Sequence, residues 1–162
     1  MAATPVGGPR TDWVARAEWL HPRVALLEVY WRETDLVALY LVEGRRRLLV
    51  DTGTTDTPTT ALGPALARLG RRLEEIDVVV NTHAHVDHAW GNAAVQAASG
   101  AEVLMHAADV PLLQPLHLFD ANARRQDALG PPTEADAAQR AERRRRAADA
   151  PPSAHRPVSH GG

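Results

Sequence analysis

Apolar residues in the first third of the chain fall into three short β-prone runs, residues 23–32, 36–43 and 46–51, separated by polar positions and Gly44. That spacing predicts an antiparallel meander whose third run ends at Asp51-Thr52-Gly53. From Pro58 the period changes: Leu62, Ala65, Leu66 and Leu69 recur at helical spacing, with threonines ahead of them as cap candidates and Gly70 as a stop. Ile76 to Val80 is an almost unbroken β-branched run, short enough to be a strand buried on both faces, and it leads directly into Asn81-Thr82-His83. Ala89 to Ala98 then reads as a helix closed by Ser99-Gly100, and Glu102 to Met105 as a strand leading to His106. A parallel crossover needs a helix to cover the sheet, so this alternation predicts an α/β layer.

The flanks differ in character. Residues 1–12 carry Pro, Gly and Thr without periodicity and read as a flexible lead-in, which leaves residues 13–110 as the folded unit. Residues 111–150 show no strand signal beyond Pro111 and become Ala- and Arg-rich, the pattern of a helical insert, and residues 151–162 form a Pro- and Gly-rich tail that reads as loop. The arginine run Arg143 to Arg146 has Glu142 and Asp149 beside it, so a solvated helix face is favoured there over an RNA contact.

Composition narrows the chemistry. At 162 residues and 44% hydrophobic, the chain suits one domain with an aliphatic core, since it holds only four Trp, two Tyr and one Phe. It contains no cysteine, which excludes disulfide scaffolds, thiolate metal sites and thiol nucleophiles. All 18 basic residues are arginine, which removes Schiff-base chemistry and a phosphate-loop lysine, and Ser99, Ser153 and Ser159 lie in no nucleophile elbow. The net charge of −2 provides no general field for nucleic acid or anionic membrane. Without a signal-like or membrane-spanning apolar run, the expectation is a cytoplasmic protein.

The chemistry is concentrated in residues 82–92, THAHVDHAWGN, where His83, His85, Asp87 and His88 fall within six positions just after the buried strand. Imidazole and carboxylate suit zinc and similar divalent ions. Alternation along extended chain would place His83, His85 and Asp87 on one side, while His88 requires the chain to turn.

The H-x-H-x-D-H pattern after a hydrophobic strand, with a strand ending in D-T-G about thirty residues earlier, resembles the metallo-β-lactamase-fold hydrolases. The resemblance runs from about Trp19 to His106, or through the helical insert to Gly162, and implies an α/β fold, the layered αββα sandwich, of which this chain holds the first half plus a helical insert. It implies two Zn2+ ions per complete site, with Fe or Mn as alternatives: His83 and His85 on the first, Asp87 and His88 on the second, and Asp51 beneath them orienting ligands through hydrogen bonds. It further implies a metal-bound hydroxide as nucleophile, with Asp87 as the catalytic carboxylate that receives its proton.

The family's third histidine, bridging aspartate and final histidine have no counterpart contexts in this chain, so residues 151–162 read as a truncation point. His155, His160, His106, His117 and His21 are assigned to no metal. The resulting expectation is a hydrolase of small-molecule esters, thioesters or lactones, as in the glyoxalase-like branch, for the full-length parent. The alternatives are a non-catalytic metal-binding or dimerising protein and a phosphodiesterase or nuclease of the same superfamily. With half a sandwich, residues 23–50 should present exposed apolar surface and unpaired edges, which makes a homodimer possible.

Overall fold

The computed structural model describes residues 12–113, 133, 134, 137, 138, 141 and 156–158. Among the described residues, seven strands form one sheet whose spatial order equals their order in the chain. They are β1 (Val14–His21), β2 (Val24–Tyr30), β3 (Leu36–Glu43), β4 (Arg47–Val50), β5 (Val78–Val80), β6 (Glu102–His106) and β7 (Arg156–Val158). The pairs from β1 to β4 are antiparallel, and those from β4 to β7 are parallel.

The meander falls where the alternation placed it. Register pairs Ala25 with Leu41, Leu27 with Leu39 and Leu41 with Leu49, and Val79 and Val103 extend that stripe across the parallel strands. These residues are almost fully buried. Ala61, Leu62, Ala65, Leu66 and Val95 join them in one cluster, so the segment after β4 and the helix before β6 lie over this face. Each fully buried leucine in the stripe contributes about 1.5–3 kcal/mol.

The opposite face is treated differently. Leu26 is buried there, but Leu36 and Tyr40 are 48% and 36% exposed, and Val42, Leu48, Val50, Val80 and Leu104 are half-buried. The apolar surface expected of residues 23–50 is therefore confined to one side of the sheet.

Between β4 and β5 the single helix expected over residues 58–69 is a π-helical turn, Pro58–Leu62, running into α1 (Gly63–Arg68). Thr57 does not cap it: its hydroxyl accepts from the Thr54 N–H at 3.0 Å instead. Gly70 and Gly100 do end their helices, with φ of +69° and +72°, values that a side chain with Cβ rarely adopts. The helix expected from Ala89 is two: α2 (Val86–Ala89) and α3 (Asn92–Ser99).

Two strands escaped the sequence pattern. β1 lies at the edge of the sheet and buries only Val14 deeply, so its residues carry no clean apolar alternation. β7 corrects the reading of the tail as loop: Leu104, Met105 and His106 pair with Arg156, Pro157 and Val158, and the Ala107 N–H donates to Val158 O at 2.8 Å. Pro157 hid this strand, and an edge position is where a sheet tolerates a residue without an N–H. Of the expected insert, Pro111 to Leu113 close the 3-10 turn Val110–Leu113, Glu134, Ala137, Ala138 and Ala141 are helical, and all else but Thr133 lies outside the described residues, as do His117, His155 and His160. Among the described residues no helix is long and apolar enough to cross a membrane.

Candidate metal centre

The site forms where β4 and β5 end side by side. β4 delivers Asp51, whose N–H donates to Val80 O at 3.0 Å, and β5 delivers Asn81, Thr82 and His83. Asp51 is 2% exposed and has a φ of 61°, the left-handed region that a non-glycine residue enters only when its surroundings hold it there.

What holds it is its carboxylate. Oδ1 accepts from the Thr82 N–H at 2.8 Å, and Oδ2 accepts from the Thr82 hydroxyl at 2.7 Å and from His88 Nδ1 at 2.8 Å. Asp51 therefore orients His88 directly.

Residues 81–85 are irregular, and α2 starts at Val86 with His85 as its N-cap. The extended run thus ends before Asp87, which corrects the expectation that His83, His85 and Asp87 alternate along one extended segment. The turn of α2 instead brings His88 back over Asp51, with its ring 4.1 Å from that of His83.

The donors face each other in two pairs. His83 Nε2 lies 2.9 Å from His85 Nδ1, and His88 Nε2 lies 3.5 Å from Asp87 Oδ2. Two nitrogens bound tetrahedrally at zinc distances of 2.0–2.1 Å stand about 3.3 Å apart, so both pairs lie within a few tenths of an ångström of the separation of two ligands on one cation. Among the described residues no group of three or more such side chains is arranged to hold a metal. Burial holds the His83 pKa below the ordinary histidine range, reinforced by His88 and His85 and opposed by Asp51 and Asp87. Neutral imidazole is the form that binds metals.

Beneath the donors runs a polar circuit that the sequence reading did not single out. The Thr52 N–H donates to His88 O at 2.7 Å, and the Thr52 hydroxyl to Asn92 Oδ1 at 2.8 Å. Asn92 Nδ2 donates to Asn81 Oδ1 at 2.7 Å, and Asn81 Nδ2 returns to His88 O at 3.2 Å. Thr52 and Asn92 are fully buried and Asn81 is 5% exposed. Gly91 permits this closure, because a Cβ there would stand 2.4 Å from Thr52 O. The available signal was polar residues flanking an apolar strand and helix, too general to separate from surface loop.

His106 Nδ1 accepts from the Ala108 N–H at 3.3 Å and His21 Nδ1 from the Arg23 N–H at 3.3 Å, so both rings serve local turns.

Comparison with known proteins agrees with this architecture. A model of the Metallo-beta-lactamase superfamily matches residues 33–160. The chain belongs to that superfamily. Among solved structures it is similar to a subclass B3 metallo-β-lactamase from a soil metagenome library, at 24% identity and a TM-score of 0.52 over 64% of this chain and 37% of that one. It is similar to the metallo-β-lactamase of Legionella gormanii at 17% identity and a TM-score of 0.56, over 68% and 40% of the two chains. The metallo-β-lactamase of Cronobacter sakazakii matches at 25% identity and a TM-score of 0.53, over 61% and 38%. The chain thus spans about two fifths of the length of these structures and shares their fold over that part. Among curated proteins none matches.

Proposed function

We propose that this chain contributes His83, His85, Asp87 and His88 to the metal site of a hydrolase acting on a small-molecule ester, thioester or lactone. The observation carrying this reading is the facing of His83 Nε2 and His85 Nδ1 at 2.9 Å, two donors that need separate by only about 0.4 Å to share one cation. Zinc fits this donor set, with iron or manganese as alternatives. Bound there, such an ion would supply Lewis-acid charge and bring the pKa of a water into the neutral range.

The chain's own residues supply the rest. Asp51 fixes the ring of His88, the circuit of Thr52, Asn81 and Asn92 fixes its backbone, and Asp87 is a carboxylate beside the reacting centre that can accept a proton. A small substrate is favoured over nucleic acid because Arg46, Arg47 and Arg71 pair with Glu102 and Glu43 at the far end of the sheet.

Titration calorimetry with zinc tests the reading. Uptake by the protein that falls at least 100-fold when His83 and His85 are both replaced by Ala is expected; equal uptake by both would overturn the assignment. A panel of thioesters, lactones and phosphodiesters on the longest natural form then decides the substrate class.

A second reading is favoured by the exposure of Leu36 and Tyr40: a non-catalytic metal-binding protein that dimerises through this face. It predicts zinc uptake without turnover, and a dimer in sedimentation equilibrium that Tyr40→Glu disperses.

A further inference from the structure

Thr82 stands between Asp51 and His83, and the protons around it can be counted. The Asp51 carboxylate is an acceptor, so the 2.7 Å contact between Thr82 Oγ1 and Asp51 Oδ2 must use the hydroxyl proton of Thr82. A hydroxyl has one proton to give. The 3.0 Å contact between Thr82 Oγ1 and His83 Nδ1 must then run the other way, with His83 donating. The reverse assignment would leave Thr82 Oγ1 and Asp51 Oδ2 facing each other at 2.7 Å with no proton between them.

From this we infer that Thr82 is a positioning residue that relays the Asp51 carboxylate to His83 and fixes that imidazole as its Nδ1–H tautomer. The inference rests on the metal-site reading above and extends it. The Nε2 of neutral His83 then carries a lone pair aimed at His85 Nδ1, 2.9 Å away. One carboxylate thereby sets two rings: His88 by direct contact and His83 through a hydroxyl, each left with Nε2 open to a cation.

A second consequence concerns His85. With the His83 Nε2 bare of hydrogen, their mutual contact requires His85 to donate from Nδ1 when no cation is present. Cation uptake needs that nitrogen as a lone pair, so the proton passes by way of solvent to His85 Nε2 and none is released. His85 changes tautomer on loading while His83 does not.

Thr82 is exposed, so water competes for both of its bonds, and replacing it leaves the core untouched. The test compares the protein with Thr82→Val, which keeps the shape and removes the hydroxyl, and Thr82→Ser, which restores it. Long-range 1H–15N spectra of the imidazoles are recorded at about pH 8.5, where histidines are neutral, and zinc affinity is measured by calorimetry.

In the protein and in Thr82→Ser, His83 should show one tautomer, Nδ1–H. In Thr82→Val the Nε2–H form should appear, and zinc affinity should fall about tenfold. A His83 that remains wholly Nδ1–H in Thr82→Val overturns the inference, as does a Thr82→Ser that behaves like Thr82→Val. If none of the three takes up zinc, the metal reading fails, while the tautomers still decide the role of Thr82.

Discussion

The two ends of this sheet solve the problem of placing polar groups in opposite ways. At the end where β4 begins, charges meet at the surface: Arg71 and Arg47 with Glu43, Arg47 with Glu75, Arg46 with Glu102. At the end where β4 stops, the amides and hydroxyl of Asn81, Asn92 and Thr52 are buried and bonded to one another and to the backbone of His88, whose ring the buried Asp51 carboxylate holds. Water can replace a partner at the first end and cannot within the buried circuit of Thr52, Asn81 and Asn92 at the second. The site end should therefore be rigid and intolerant, and the far end permissive.

The sharpest way to break this contrast is Gly91→Ala. Gly91 has a φ of −77°, which any residue adopts, so the obstacle is steric: the new Cβ meets Thr52 O at 2.4 Å and Pro58 Cγ at 2.9 Å. Spreading residues 51–53 from α2 should cost about 3 kcal/mol in urea denaturation, the upper part of the usual overpacking range. Stability equal to the unsubstituted protein would mean that this seam is loose.

Asn92→Ala comes next. It leaves Asn81 Oδ1 without its donor and the Thr52 hydroxyl without its preferred acceptor, both buried. The expected loss is about 2 kcal/mol, unchanged in 1 M salt because no charge is involved.

The smallest effect belongs to the far end. Glu43→Gln should cost no more than about 1 kcal/mol and should shrink in 1 M salt. Its pH dependence has a definite sign. The hydrogen bond from Arg71, helped by Arg47 and opposed by burial, holds the Glu43 carboxyl below its ordinary range. The contribution is therefore complete above the unfolded value of about 4.3 and is lost as pH falls through the lower folded value. Denaturation curves at pH 7 and pH 3 check it: the difference between protein and variant should be smaller at the acid end.

This contrast also explains what could be read from the sequence. The candidate cluster was legible because His83, His85, Asp87 and His88 fall within six positions, and few patterns place such residues together by chance. Asp51 was legible through its strand-end context. Thr52, Asn81 and Asn92 were not, because their roles depend on partners as far as 40 positions away, and buried asparagine looks the same in sequence as asparagine in a loop. The fold divides similarly. β2, β3 and β4 are marked by apolar alternation against a covered face, whereas β1 and β7 lie at the edges, where burial imposes little on the residues chosen.

The order of the strands bears on how the chain reaches this state. Because neighbours in space are neighbours in sequence, each newly made strand meets its partner already in place, with tight turns within the β1–β4 meander and longer helical crossovers from β4 to β6. The step from His106 to Arg156 keeps that order but spans the longest stretch of chain, so it carries the largest closure entropy among the strand pairings. On loop closure alone, the sheet is expected to assemble as a zipper with a late tooth: β1 to β6 pair first, and β7 docks last on an edge that waits for it.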